Sequence, residues 1–232
     1  MNAIGAFQTI RDGFDFTELL SLLQSVIPAL ICITLHELSH GLTAYALGDD
    51  TAKRMGRLTL NPIRHLDLMG LLMIVIFHFG WAKPVPVNMY RFRHPKRDMA
   101  ITALAGPASN VLITLLFLLL YGALYIPLAA SKAGSFVLQT LQLTAWLSLS
   151  LAVFNMIPLP PLDGSKVLFS ALSDEGYYKL MRYERYGSIL LIVLLATGVL
   201  SRPLSTAVRT VFNAFVPLSQ WACDTVYLMF YK

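Results

Sequence analysis

The chain has 232 residues, of which 56% are hydrophobic and only 13% are charged, and its mean hydropathy is +0.62. A soluble domain of this length carries about twice that charged fraction. The composition therefore excludes a soluble enzyme, a disordered tail and a nucleic-acid-binding domain, and it predicts an integral membrane protein.

Charged residues are absent from three long stretches. No Asp, Glu, Lys or Arg occurs in residues 99–131, 133–162 or 186–201. A hydrocarbon core of about 30 Å needs about 20 mostly apolar residues per helix. These stretches are therefore typical of a chain that crosses the membrane several times.

Basic residues account for the net charge of +5 and are concentrated in short loops. They form three clusters, at 53–64, 91–97 and 179–185. Such clusters mark loops held on the cytoplasmic side of a membrane. We therefore predict a multi-pass protein of the cell membrane, with the lipid bilayer as a partner and no nucleic-acid partner.

The first half of the chain predicts one long helix and one irregular segment. The helix extends from about Thr17 to Leu47 and ends at Gly48, where glycine is favoured after a helix. The next apolar run, residues 66–81, is short for a span and has basic clusters on both sides. We therefore expect a short re-entrant segment or β-hairpin near residues 66–88.

The second half of the chain predicts further helices separated by proline-rich or charged loops. The expected segments are 99–130 (one helix, or two broken near Gly106), 136–156, a short amphipathic piece at 165–172, 186–200, and a last helix after Pro203. The predicted fold class is an all-α polytopic membrane protein with about five or six transmembrane helices.

The first helix contains the pattern His36-Glu37-Leu38-Ser39-His40. A spacing of four residues places the two imidazoles on one helical face, close enough to share one zinc ion. Glu37 lies about 100° around the helix, within reach of a metal-bound water but outside a ligand position. The pattern can arise by chance, but three ionisable groups in one turn of an apolar helix are costly in lipid and favour a functional cavity.

A catalytic zinc ion needs a third protein ligand and an open position. The spacing leaves this ligand undecided. Asp163 is a strong candidate, because it follows a membrane helix and a proline-rich stretch that we expect to hold an extended backbone at membrane depth; its structural alternative is a helix N-cap. The remaining candidates are Asp49, Asp50, Asp67, His65, His78 and His94.

Four segments together resemble the site-2 protease family of intramembrane zinc metalloproteases, in its compact form without PDZ or CBS domains. They are His36 to Gly41, Gly56 to Pro62, Gly106 to Asn110, and Asn155 to Gly164, and they cover most of residues 30–170. The resemblance implies a single metalloprotease domain over 1–232, with a catalytic core at about 17–172 and C-terminal helices at about 186–231.

The resemblance also implies roles for individual residues. His36, His40 and Asp163 are expected to bind one Zn²⁺ ion, Glu37 to be the catalytic base, and Asn155 to orient the substrate or polarise its carbonyl. The expected reaction is hydrolysis of a peptide bond within or next to a transmembrane segment of a membrane-protein or peptide substrate.

Several further residues receive structural interpretations. Gly106 and Asn110 suit close helix packing with an interhelical amide bond. His65 is interpreted as structural, and Trp81 and Tyr90 as interface anchors.

The positive loop after the first helix predicts an active site nearer the cytoplasmic face. The alternative function is a zinc-binding membrane protein without proteolysis, either a transporter or an inactive scaffold.

Overall fold

The computed structural model describes residues 16–67, 70, 82–182 and 184–230. Eight α-helices occur in these ranges: α1 (Phe16–Ala46), α2 (Thr51–Arg54), α3 (Pro95–Leu128), α4 (Lys132–Asn155), α5 (Asp163–Ser170), α6 (Asp174–Arg182), α7 (Glu184–Ala196) and α8 (Ser201–Phe230). Two short 3₁₀ helices, Pro62–His65 and Met89–Arg91, lie between α2 and α3. The predicted all-α fold class is therefore confirmed for the described residues.

Helix α1 ends where the sequence predicts. Its last residue is Ala46, and Gly48 has φ +107°, a left-handed conformation that glycine adopts without a steric penalty. The chain then reverses into Asp49, whose side chain accepts hydrogen bonds from Thr51 N at 3.0 Å and Asn88 N at 2.6 Å. The loop after α1 is thus tied to the segment that precedes α3.

Helix α3 is the centre of the fold and contacts α1, α4, α5 and α8. It is one continuous helix of 34 residues, so the option of a break near Gly106 is not observed. An apolar core cluster joins α3, α4 and α8 through Leu118, Leu149 and Phe212. A second cluster joins the C-terminal end of α1 to the N-terminal end of α3. Helices α1 and α3 are therefore antiparallel, and α3 presents one side to α1 along the segment that contains the His-Glu pattern.

The described residues contain three candidate spans, or up to four, so the five or six predicted are not confirmed. Among the described residues, α1, α3 and α4 are each long and apolar enough to cross a membrane, and a fourth span arises only if α7 and α8 are counted together. Those two helices meet at an angle of 87°. Helix α7 is only 13 residues long, and α8 carries charged residues in its sequence, so neither helix alone meets the length and hydropathy of a span.

The irregular segment near residues 66–88 lies largely outside the described residues. Its two ends meet, because Leu66 and Ala82 form an isolated antiparallel bridge and Lys83 N donates to His65 O at 2.9 Å. A β-hairpin or re-entrant segment therefore stays a prediction. The predicted anchor Trp81 and the candidate ligand His78 also lie outside the described residues.

The proline-rich connection between α4 and α5 differs from the extended backbone we expected. It makes tight turns, with Leu159 N bonded to Ile157 O at 2.8 Å and Leu162 N to Leu159 O at 3.0 Å. A Cβ atom on Gly164 would lie only 2.3 Å from Met156 O. The turns bring the start of α5 back against the end of α4, so α5 begins beside the membrane helices instead of far from them.

Candidate metal centre

His36 and His40 lie on one face of α1, as their spacing predicts. Both side chains are buried, and their Nε2 atoms are 3.0 Å apart. The ring planes are nearly perpendicular, at 89°. Both imidazoles therefore present Nε2 to one point beside the helix, about 9–15 Å from its C-terminal end at a rise of about 1.5 Å per residue.

Asp163, which is distant from the histidines in the sequence, completes a group of three. It is the first residue of α5, and its Oδ2 lies 3.2 Å from Nε2 of His36 and 3.2 Å from Nε2 of His40. The N-cap of α5 is Leu162, and the Asp163 side chain makes no capping hydrogen bond. The alternative interpretation of Asp163 as a helix cap is therefore wrong.

The three ligand atoms have the spacing that a tetrahedral zinc ion requires. Bonds of about 2.0–2.1 Å in a tetrahedral site place neighbouring ligand atoms about 3.3 Å apart, and the observed separations are 3.0 to 3.2 Å. Asp163 Oδ2 is buried and accepts no well-aligned hydrogen bond. A buried carboxylate oxygen beside two imidazole nitrogens is suited to a cation when those nitrogens are deprotonated, so the donor set fits one Zn²⁺ ion.

The protonation state of Asp163 follows from its surroundings. Burial acts to raise the pKa of this carboxyl, but the two adjacent imidazoles and the Lys166 ammonium, 3.9 Å from Oδ1, together hold the pKa below its ordinary value. Asp163 is therefore a carboxylate near neutral pH. This is the protonation state that a metal ligand needs.

Helix α3 packs against the two histidines of the centre. His40 Nδ1 lies 2.7 Å from the carbonyl oxygen of Thr102, which can only accept a hydrogen bond, so Nδ1 carries a proton and the neutral ring has its lone pair on Nε2. A Cβ atom on Gly106 would lie 2.4 Å from His40 Nε2. Asn110 Nδ2 lies 3.0 Å from His36 Nδ1. Gly106 and Asn110, which the sequence assigns to helix packing, therefore pack against the imidazoles themselves.

Glu37 is held from the opposite side by the extended residues that precede α3. Its Oε2 accepts a hydrogen bond of 2.7 Å from the backbone N–H of Val85. Arg57 is buried and donates to Lys83 O at 2.8 Å and to Pro84 O at 3.3 Å. The basic loop after α1 thus supports the extended segment, and the extended segment positions Glu37. No sequence motif indicated this connection.

Asn155 has no described contact with the three metal-facing side chains. Its Nδ2 donates to Leu151 O, one turn earlier in α4, at 3.0 Å. The residue is partly buried at the C-terminal end of α4. It lies eight residues before Asp163 and next to the turns that bring Asp163 to the histidines.

The other candidate ligands have partners elsewhere. Asp49 accepts the backbone bonds described above, and Asp50 pairs with Arg54 and Arg91. Asp67 accepts from Gly70 N at 3.1 Å. The remaining two are His65, which is buried and bonded to Thr59 O at 2.9 Å, and His94, which is exposed and precedes α3. Within the described part of the chain, the group that could hold a metal ion is therefore His36, His40 and Asp163.

Comparison with known proteins points to one family. Residues 122–200 match the model of peptidase family M50. The chain is 40% identical over 190 residues to "Putative zinc metalloprotease YwhC" of Bacillus subtilis, an alignment that covers 80% of this chain and 86% of that protein. No solved structure matches the chain.

More distant relatives have the same description. "Putative zinc metalloprotease Rip2" of Mycolicibacterium smegmatis is 34% identical over 178 residues, which cover 75% of this chain and 66% of Rip2. "Putative zinc metalloprotease MJ0611" of Methanocaldococcus jannaschii is 31% identical over 101 residues, which cover 44% of this chain and 49% of that protein. The extent of the match to YwhC shows that the chain belongs to peptidase family M50, the site-2 protease family of zinc metalloproteases.

Proposed function

We propose that this chain is an intramembrane protease that hydrolyses a peptide bond within or next to a transmembrane segment of its substrate. His36, His40 and Asp163 hold the zinc ion, and Glu37 is the general base. The observation that carries this proposal is the convergence of three buried ligand atoms within 3.2 Å of one another. They are contributed by the membrane-spanning helix α1 and by α5.

Each group in the site has its own role in the reaction. A zinc ion bound here supplies Lewis-acid chemistry, lowering the pKa of water toward about 7 and polarising a carbonyl. Glu37 takes the proton from the attacking water and delivers it to the leaving amine. Because Val85 N–H holds Oε2 at 2.7 Å, Oε1 is the oxygen that we assign to proton transfer. We assign Asn155, at the end of α4, to orienting the substrate or polarising its carbonyl.

The substrate must reach this centre with an unwound backbone, because the amides and carbonyls of a helix are already paired. Residues 82–88 have no regular helical or sheet structure and run beside Glu37. We assign the stretch 66–88 to holding the substrate extended by strand addition. The carbonyls of Lys83 and Pro84 are already bonded to Arg57, so these two carbonyls are not the acceptors for a substrate strand.

The experiment that tests this function compares wild type with Glu37→Gln on a single-span substrate peptide in detergent, with zinc measured in each sample. We expect Glu37→Gln to retain zinc and to lose cleavage, because the carboxamide keeps the volume of the side chain and cannot accept the proton. Glu175→Gln, an exposed position on α6, is the matched control and is expected to cleave normally. Equal cleavage by wild type and Glu37→Gln would refute the assignment of the base.

A further inference from the structure

Asn110 is the polar side chain of α3 that contacts His36, and its backbone is fixed from two directions. The residue is fully buried. Its main-chain oxygen accepts hydrogen bonds of 2.8 Å from Ser148 Oγ of α4 and 2.8 Å from Thr114 Oγ1 of the next helical turn. Asn110 therefore lies where α1, α3 and α4 meet, and its side chain has little freedom except rotation of the terminal amide.

One of the two polar atoms of this side-chain amide has no hydrogen-bond partner. Nδ2 lies 3.0 Å from His36 Nδ1, while Oδ1 is buried without a donor. An Asn amide has nearly the same shape after a 180° rotation, and only the hydrogen-bond network distinguishes its oxygen from its nitrogen. The proton on His36 therefore decides which way the amide points.

The contacts of His36 Nε2 determine which ring nitrogen carries that proton. Its Nε2 is 3.0 Å from the Nε2 of His40 and 3.2 Å from Asp163 Oδ2. When a cation lies among these atoms, Nε2 must offer its lone pair, and the proton of the neutral ring then lies on Nδ1. A protonated Nδ1 needs an acceptor at about 3 Å, and the atom of Asn110 that can accept is Oδ1.

We propose that Asn110 is a positioning residue for the metal centre, whose side-chain oxygen accepts the Nδ1 proton of His36 and so fixes the tautomer and ring orientation of that ligand. This inference rests on the proposed function, because it takes His36 as a zinc ligand. It gives His36 an acceptor equivalent to the Thr102 carbonyl that serves His40. Helix α3 thus supports both imidazoles without contributing a ligand.

The test measures the zinc affinity of the purified apo-protein in detergent by competition with a chromophoric chelator, using Zn²⁺ alone. We expect Asn110→Leu, which keeps the branching of the side chain and removes the acceptor, to bind zinc about 10- to 100-fold more weakly, the range typical for loss of such a partner. Asn110→Asp keeps an acceptor in either orientation, so we expect its affinity to equal or exceed that of wild type.

Two comparisons keep this result interpretable. Ser150→Ala removes another hydroxyl of α4, which donates to Trp146 O of the same helix at 2.8 Å, so we expect unchanged zinc affinity. If Asn110 only fills space, Asn110→Leu will bind zinc as wild type does; if the amide donates to His36, Asn110→Asp will be as weak as Asn110→Leu, and either result overturns the proposal. The readout needs no cleavage, so a wild type that binds zinc but cleaves no peptide would count against the proposed function alone.

Discussion

Gly106 shows how one missing side chain permits the metal centre. The residue lies on α3 directly against the two imidazoles of α1, and an added Cβ would lie 2.4 Å from His40 Nε2 and 2.6 Å from His36 Cε1. Real Cβ atoms do not approach other heavy atoms so closely, and the imidazoles are buried on all sides. A methyl group at this position would therefore occupy space that the ligands need.

We expect Gly106→Ala to abolish zinc binding, because the added methyl group forces His36 and His40 away from Asp163. Metal content after purification in the presence of zinc measures this. Gly176→Ala is the matched control, since its Cβ would come no closer than 3.3 Å to Ser173 Oγ. A Gly106→Ala protein with one zinc per chain would show that the centre does not depend on this close approach.

At the level of single residues, sequence reasoning identified the histidines and the glutamate because their chemistry is local. A spacing of four residues in a helix determines a shared face without any knowledge of the rest of the fold. Asp163 was one of several candidate third ligands until the family resemblance selected it, since a separation of more than 120 residues has no periodicity to interpret. The contacts of Gly106 and Asn110 were assigned to packing because a sequence does not show which helix an interhelical residue faces.

Among the structural elements, the extended residues before α3 have the most direct connection to Glu37. Val85 is almost fully buried, and its N–H is the donor to Glu37 Oε2. Pro84 and Pro86 on either side have no N–H, so Val85 is the residue of this short run that can supply the bond. Arg57 holds the preceding carbonyls in place.

We expect Val85→Pro to lower kcat by about 10- to 100-fold relative to Val85→Ala, because misplacing a catalytic group by about 1 Å costs about that much. Both variants lose the valine side chain, but only Val85→Pro loses the donor to Glu37. Steady-state cleavage of a single-span peptide, with zinc content measured in parallel, gives the comparison. Equal kcat values for the two variants would show that this hydrogen bond does not position the base.

The helices themselves were largely predictable, and the segments between them were not. The approximate extents of α1, α3 and α4 follow from runs of apolar residues, although α3 and α4 begin earlier than predicted, at Pro95 and Lys132. The sequence left open a break near Gly106; it did not occur, and α3 continues as one helix through Pro107. The turns after Asn155 depend on packing of α5 against α3, which no local pattern encodes.

For the whole molecule, the packing of α1 against α3 determines the depth of the centre. The loop after α1 and the segment before α3 lie at the same end, linked by Asp49 and Asn88. The connection between α3 and α4, which contains the exposed Ala130, lies at the other end. Because the linked end carries basic clusters, we assign it to the cytoplasmic side.

Cysteine labelling in a variant that lacks Cys32 and Cys223 tests this orientation. We expect Arg54→Cys to react with a membrane-impermeant maleimide only in inverted vesicles, because it lies in the basic loop near the metal centre. Ala130→Cys, from the opposite end, is expected to react in intact cells. Labelling of Arg54→Cys in intact cells would place the centre nearer the outer face.

The fold brings residues that are distant in the sequence together at one point, since α1 provides His36 and His40 and α5 provides Asp163. The measurement that addresses this most directly is the zinc content and zinc affinity of Asp163→Ala beside wild type and Asp174→Ala, whose carboxylate is exposed and pairs with Lys96. We predict one zinc per chain in wild type and Asp174→Ala, and binding more than about 100-fold weaker in Asp163→Ala, because losing a ligand costs more than losing its supporting partner. Full zinc content with unchanged affinity in Asp163→Ala would contradict the three-ligand centre.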